Sequence, residues 1–560
     1  MTSPQTHQLH IEPAPLPPPI RGQPGDYEKK DTHHTHDAVV APASTAYDRD
    51  YADPEVRFES ESTHRGEFGT KRDLKPRHVS MIAIAGTIGT GLFLGSGSSL
   101  VNGGPVGFFL GYGIVGTLVG MMMYCLGEMT VFAPTIGGFI EMGNKYLSPE
   151  MGFAMGINYI LQTGFAVPTE ITAIAVMIGY WDPDASHIPV YIAVFLLLSI
   201  GINLVGVKYY GEVEFLFAGI KILMLVALIL FGLVADLGGV NGVYTGGRYW
   251  REEPFNDSGI CLWGIEGIGV LAGEAFNPRK TMRMAVRTVF YRIVGLYLLA
   301  VLMIGLNISQ HSPDLLSAVS KGGSTAASSP FVVICQQVGV KVLPSVINAV
   351  VMTSALSSCN ENVYAVSRVL LALARQNSMP KCFLQTSRLG SPYWGVLVSF
   401  CFGLLAFLSI SSGSDQAFTW LSNLSALSSL IAWITICLCY VRFQRALRLQ
   451  GIDRRNLLLR SWFQPYMAYI CIASFSVILL FNGFTAFIHS FDVSTFFASY
   501  ITLPVFAICL VGFRVVKKKD QCGVAHLEDI DLSHGPEQAL RNTRYDLTAT
   551  HGLVQPVIKA

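Results

Sequence analysis

Apolar residues in this chain are gathered into long blocks, separated by short polar intervals. The blocks fall at 79–100, 105–132, 152–180, 189–207, 213–236, 259–276, 289–308, 343–373, 394–411, 417–441, 466–488 and 493–513. Each is close to or above the ~20 residues with which a helix crosses a ~30 Å hydrocarbon core. The pattern predicts an all-α membrane protein of about 12 transmembrane helices. Basic residues sort the intervals into two classes. One class carries Lys71, Arg72, Lys75 and Arg77, then Lys145, Lys208, Arg279, Lys280, Arg283, Arg287, Arg375, Lys381, Arg388, the stretch 442–460 and Lys517 to Lys519. The other holds only Arg248, Arg251, Lys321 and Lys341. The two classes alternate across every crossing, which places both termini on the cytosolic side.

Two of the blocks are interrupted. Residues 77–97, RHVSMIAIAGTIGTGLFLGSG, place Gly86, Gly89, Gly91, Gly95 and Gly97 inside a membrane-length run. Glycine is costly within a helix, and lipid tolerates unsatisfied backbone only where it lines a protected cavity. The reading is a helix broken on purpose, with freed amides and carbonyls facing a solute. Gly86, Thr87, Ile88, Gly89, Thr90 and Gly91 are its binding residues, with two hydroxyls added to the backbone groups. Glycine-mediated helix packing is the competing reading. A nucleotide-binding loop is not, because the order is GxxGxG and no βαβ unit surrounds it. The second interruption, GICLWGIEGIGVLAGEAF at 259–276, lies five crossings later. Matching breaks in consecutive five-helix units predict a 5+5 inverted repeat with the site between broken helices 1 and 6, and two additional helices outside it.

Composition narrows the class without changing it. Hydrophobic residues make up 51% of 560 and charged residues 14%, against about a quarter charged in soluble domains. Residues 1–76, rich in Pro, His, Ser and Asp, read as a disordered cytosolic tail. Residues 77–514 read as the transmembrane domain and 515–560 as a cytosolic C-terminal tail. Cys125, Cys401, Cys437, Cys439 and Cys471 sit in apolar runs as small hydrophobes. The His33, His34, His36 cluster is read as solvated tail rather than a metal site. No nucleophile, cofactor or metal constellation supports an enzyme, and nothing points to nucleic acid.

Ionisable groups within spans are expensive and by default functional candidates. Glu266 lies at the second break, between Gly264 and Gly267. Glu170 follows Pro168 in span three, and Glu361 lies beside Asn360 in span eight. Glu128 stands near the cytosolic end of span two, where snorkelling and an inner-gate role compete. Glu274 is as readily paired with Arg279 or Lys280 as functional. Lys221, within span five, either snorkels or is a buried amine able to switch with a proton. Glu214 lies two turns away on the same face.

The chain resembles the fungal amino-acid permeases of the amino acid–polyamine–organocation superfamily. The resemblance rests on RHVSMIAIAGTIGTGLFLGSG, GGPVGFFLGYGIVGTLVGMMMYCLGEMTVFAP, INLVGVKYYGEVEFLFAGIKIL, GEAFNPRKTM, VYAVSRVLLALA and WLSNLSALSSLIAW. It runs from about Leu74 to about Arg514, with echoes at 528–532. It implies a LeuT-like fold and proton-coupled amino-acid uptake by alternating access at the plasma membrane, with the proton as coupling ion and no cofactor. The break at 86–91 would hold the substrate's carboxylate and amine. Trp263, Gly264, Glu266 and Glu170 would complete the site. Lys221, Glu266 and Glu128 are the proton-coupling candidates, Lys221 resembling a span-five lysine of a bacterial relative. Ubiquitin and trafficking machinery would act through the tails, Lys29 and Lys30 being acceptors.

One departure bears on activity. Only residues 259–263 separate the polar 256–258 from Gly264, so the outer half of span six looks shortened against the family's layout. An error in the gene model is the leading explanation. A non-transporting amino-acid sensor or inactive permease is the alternative, and a polyamine or choline permease the runner-up within transport. The crossing is expected to draw in residues around Phe255. Neutral amino acids are the preferred substrates, since Glu170 is the single acidic group placed to choose a cationic side chain. Asn256 and Asn307 fit glycosylation sequons on the outer side.

Overall fold

Glycine and proline decide where the helices of this chain stop and turn. A computed structural model describes residues 81, 88–133, 138–182, 184–240, 242–256, 293–320, 329–412, 414–457, 459–487, 491, 493–517 and 523–532. A wide turn at Gly91–Gly95 leads into α1, Ser96–Phe132. Then come α2 (Pro149–Ile178), α3 (Ile188–Val205), α4 (Val207–Asp236), α5 (Leu298–Asn307), α6 (Pro330–Gln337), α7 (Leu343–Arg375) and α8 (Tyr393–Gly403). The last four are α9 (Ser414–Leu449), α10 (Tyr466–Phe481), α11 (Val493–Tyr500) and α12 (Thr502–Val516). Among the described residues there is no strand.

Six helical stretches are long and apolar enough to cross a membrane, and α11 with α12, bent by 47°, makes a seventh. The chain is a multi-span membrane protein. Gly91–Phe132 is 42 residues, about twice the thickness of a hydrocarbon core at ~1.5 Å per residue. It is divided at Gly104, whose backbone is non-helical (φ 70°, ψ 170°), directly before Pro105. The predicted boundary between spans one and two, at 100–105, coincides with this break. The predicted stretch 259–276 and the predicted tail 1–76 lie outside the described residues.

α4 explains how a lysine comes to lie inside. Leu216, Leu223 and Leu230 recur every seven residues and are exposed, a stripe suited to lipid. Glu214, Lys221 and Leu228 recur at the same spacing on the opposite face and are buried. α7 inverts the usual composition. It has 33 residues but is not among the helices apolar enough to be counted as spans. It packs instead against α2, α4, α3 and α8, inside the bundle. α2, capped by the Ser148 side chain on the Met151 amide with Pro149 in its first turn, packs on α7, α9, α12, α8 and α3.

The turn between the two halves of α1 clasps the segment that leads toward span six. The Val106 amide donates to the Pro254 carbonyl (3.0 Å), and Asn256 Nδ2 donates to the carbonyls of Val101 and Asn102 (both 3.1 Å). Gln310 Nε2 donates to the Phe255 carbonyl at 3.2 Å. Residues around Phe255, expected to be drawn into the sixth crossing, are bonded here to the 101–106 turn and to Gln310, and the crossing itself lies outside the described residues. Asn256 uses its amide internally, as does buried Asn307, which donates to the Gly232 and Met303 carbonyls (2.9 and 2.8 Å). Neither offers a free amide to a glycan.

A Cβ at Gly104 would lie 2.8 Å from the Cα and carbonyl carbon of Phe255. With φ at 70° the position is doubly restricted to glycine. Gly104→Ala is expected to cost about 1–3 kcal/mol, seen as a lower melting temperature of the detergent-solubilised protein. An unchanged melting curve would contradict the close packing.

Part of the predicted C-terminal tail belongs to the packed body. The Gly523 amide donates to Glu150 Oε2 (3.3 Å) and the Ala525 amide to the Leu147 carbonyl (2.9 Å). Arg442 donates to the Tyr146 and Ala525 carbonyls. Gln450 Nε2 donates to the carbonyls of Leu527, Glu528 and Ile530, and Ile530 and Leu532 are buried.

Candidate functional site

The backbone is non-helical at Ile88, Gly89 and Thr90, then resumes at Gly91. The helix described here begins only at Gly91; residues 82–87, which hold the other side of the predicted break, lie outside the described residues. The freed groups of residues 88–90 are met by side chains from other helices. The Ser354 hydroxyl of α7 donates to the Ile88 carbonyl at 2.7 Å. The Thr90 amide donates to Glu170 Oε2 of α2 at 3.3 Å, and the Thr90 hydroxyl lies beside the same carboxylate. Glu170 Oε1 accepts from the Ser358 hydroxyl at 3.0 Å. Ile88, Thr90 and Glu170 are all buried, and a Cβ on Gly89 would stand 2.3 Å from Glu170 Oε1. Glu170 thus lies directly on the break.

Lys221 is wholly buried (0% exposed), so the snorkelling reading is not what the structure shows. Its charge acts on both Glu170 and Glu214. Glu214, also fully buried, accepts through Oε2 from the Ser357 hydroxyl at 2.5 Å. Adjacent residues of one helix, Ser357 and Ser358, therefore serve two carboxylates from different helices. That is what α7 does by lying between α2 and α4.

Glu128 is engaged elsewhere. Its buried carboxylate accepts from the Tyr440 hydroxyl (2.6 Å), from Arg454 Nη2 (2.6 Å) and from the amide and hydroxyl of Ser461 (both 2.5 Å). It ties the end of α1 to α9 and to the basic stretch 442–460. Glu361 is half-buried on α7. Gly86, Thr87, Trp263, Gly264 and Glu266, and with them Glu274, lie outside the described residues.

The structure brings together Ile88, Gly89, Thr90, Glu170 and, through its charge, Lys221. The residues missed from sequence are Ser354, Ser357 and Ser358 on α7, and the Tyr440–Arg454–Ser461 clasp on Glu128. A signal for the first group was present: residues 353–362, TSALSSCNEN, are polar and small in the middle of a membrane-length helix.

A family model described as "Amino acid permease" matches residues 78–522. The chain belongs to the amino acid permease family. The permease is 38% identical over 487 residues to the dicarboxylic amino acid permease of Saccharomyces cerevisiae, covering 82% of this chain and 79% of that protein. It is 37% identical over 501 residues to the lysine-specific permease of the same yeast, covering 85% and 80%. To that yeast's general amino-acid permease it is 36% identical over 472 residues, covering 80% and 77%. The match runs through both predicted breaks and both carboxylates on Ser357 and Ser358. Its relatives are transporters rather than enzymes.

Proposed function

We propose that this permease is a proton-coupled amino-acid symporter at the plasma membrane, working by alternating access. The observation that carries the reading is the non-helical stretch at Ile88, Gly89 and Thr90, held open by side chains of α2 and α7. A helix interrupted inside a bundle presents backbone dipoles to a solute without exposing them to lipid. Residues 86–91 would grip the α-carboxylate and α-amine, and Glu170, Trp263, Gly264 and Glu266 would face the rest of the substrate. In this reading the chain folds as a LeuT-like 5+5 repeat with two further helices, twelve spans in all and both termini cytosolic.

Lys221 is the proton-linked group we favour, because it is buried and its charge reaches a carboxylate on the break. Glu128 has its oxygens occupied by four donor groups, and we assign it to holding the inner loop. Relatives named for dicarboxylic substrates, for lysine and for amino acids in general share only the amino-acid class. The alternatives raised by the short sixth stretch, a sensor or a polyamine or choline carrier, gain no support from these names. The test is uptake in cells lacking their own permeases, with a panel of neutral, basic and acidic labelled amino acids. Concentrative uptake that alkalinises the medium is the expected result. Accumulation indifferent to a protonophore would sink the coupling.

A further inference from the structure

The loop between α9 and α10 has an inner and an outer side. Its inner side is the clasp on Glu128, whose carboxylate receives Arg454 Nη2 and the Ser461 amide and hydroxyl. Arg454 Nη2 also donates to the Ser461 carbonyl at 2.6 Å, which closes residues 454–461 into a small ring. The neighbours of these two residues are not used in this way. Arg455, which follows Arg454, and Arg460, which precedes Ser461, are both exposed. Among the described residues no acidic side chain lies within ion-pair distance of either. Asp453, the nearest acid in sequence, accepts from the Arg455 amide at 2.8 Å as a backbone cap. The whole stretch 442–460 holds six arginines against that one acid.

Directly after the ring comes Trp462, 90% exposed. Phe463 and Tyr466 are exposed as well, their ring centroids 5.6 Å apart. Along α10 the exposed positions continue as Tyr469, Ile470, Val477 and Leu480, a stripe at helical spacing. The opposite face carries the buried Met467, Cys471, Phe475 and Ile478, and the helix packs against α9 and α1. The stripe therefore faces acyl chains, and the aromatic group at its end marks the depth at which headgroups begin. Arg460 and Arg455 stand just beyond that depth.

We propose that this loop binds an anionic phospholipid of the cytosolic leaflet, its headgroup held between Arg455 and Arg460 and its glycerol region against Trp462 and Phe463. Charge complementarity selects the occupant. Arginines clustered immediately cytosolic of a membrane helix attract anionic lipid, and a guanidinium meets a phosphate with two parallel donors. A lipid fits better than a soluble anion, because the aromatic group and the stripe below it give the tails a continuous apolar path. The bound headgroup joins residues 455 and 460 across a ring whose inner atoms hold Glu128, so the lipid and the clasp support each other. The proposal rests on the orientation given above, with this loop on the cytosolic side. It does not depend on the substrate or on proton coupling.

The experiment titrates the full-length permease in a neutral detergent with phosphatidylserine, and separately with phosphatidylcholine. It reads the midpoint of the rise in melting temperature that a ligand of the folded state produces. Phosphatidylserine is expected to give that rise and phosphatidylcholine to give none. Arg455→Gln combined with Arg460→Gln is expected to shift the phosphatidylserine midpoint about 25-fold, about fivefold for each basic residue lost. Arg445→Gln combined with Arg448→Gln removes equal charge from the exposed cytosolic end of α9 and is expected to shift it far less. Equal shifts in the two double variants would mean diffuse charge without a site and overturn the proposal, as would a melting temperature indifferent to phosphatidylserine. Glycerophosphoserine, the headgroup without tails, is expected to have no effect, and an equal rise with it overturns a lipid as the occupant. Glu128→Gln is expected to weaken phosphatidylserine too, and an unchanged midpoint overturns the link to the clasp. Labelling of Trp462→Cys in intact cells by an impermeant maleimide, above the wild-type background, overturns the orientation instead, which separates the two failures.

Discussion

Gly89→Ala is expected to reach the membrane in normal amounts and to transport almost nothing. The added methyl would stand 2.3 Å from Glu170 Oε1, 3.3 Å from its carboxyl carbon and 3.0 Å from Ser358 Oγ. Contacts that short are not tolerated, so the carboxylate must leave the Thr90 amide or the break must open. Either change moves the groups that are to meet the substrate by about 1 Å, a displacement that costs about 100-fold where reacting or binding atoms must be aligned. Among the described residues, the three atoms nearest to the methyl all belong to Glu170 and Ser358, so the effect falls first on the break. Uptake per molecule at the cell surface, measured beside the melting temperature, reads the two effects apart. Wild-type uptake by Gly89→Ala would show that the position of Glu170 on the break is immaterial.

The second large effect is on stability. Glu128→Ala removes an anion with no exposed side-chain surface that is bonded to Arg454 at 2.6 Å. It also leaves the Tyr440 hydroxyl and the Ser461 amide and hydroxyl without their acceptor. Arg454 is itself only 19% exposed. Breaking a buried pair by removing one partner costs about 3–5 kcal/mol, because the other charge stays behind unpaired. The expected outcome is a marked drop in melting temperature and little protein at the surface. Glu128→Gln keeps one acceptor oxygen and should lose less. If Glu128→Ala instead melted like wild type but lost proton dependence, Glu128 would have to be returned to the coupling machinery.

Much of this arrangement can be read along the chain, and the part that cannot shares one property. The first break, the turn at Gly104 and the buried lysine all announce themselves locally. Glycine at 86, 89 and 91, proline at 105, and a charge on the inward stripe of α4 each violate what a lipid-facing helix should contain. The partners of these features do not announce themselves. Ser354, Ser357 and Ser358 are 266, 143 and 188 residues from the groups they hold. Serine in a membrane helix is as well explained by a bond to its own preceding turn. Their role depends on α7 lying between α2 and α4, which no local pattern encodes. Glu128 shows the converse. Its position near a helix end suited a gate, and only the fold supplied a tyrosine, an arginine and a serine to occupy it.

The hold on Asn256 marks where the doubtful sixth stretch begins. Pro254, Phe255 and Asn256 are bound to residues 101, 102, 106 and 310, which anchors the start of the segment leading to the sixth stretch. From residue 257 to the end of the apolar stretch at 276 there are about 20 residues, enough to span ~30 Å only as unbroken helix. A crossing that also unwinds at Gly264 needs more chain than that. Whether a longer transcript exists is read by sequencing across residues 250–270, the window in which the sixth stretch looks shortened.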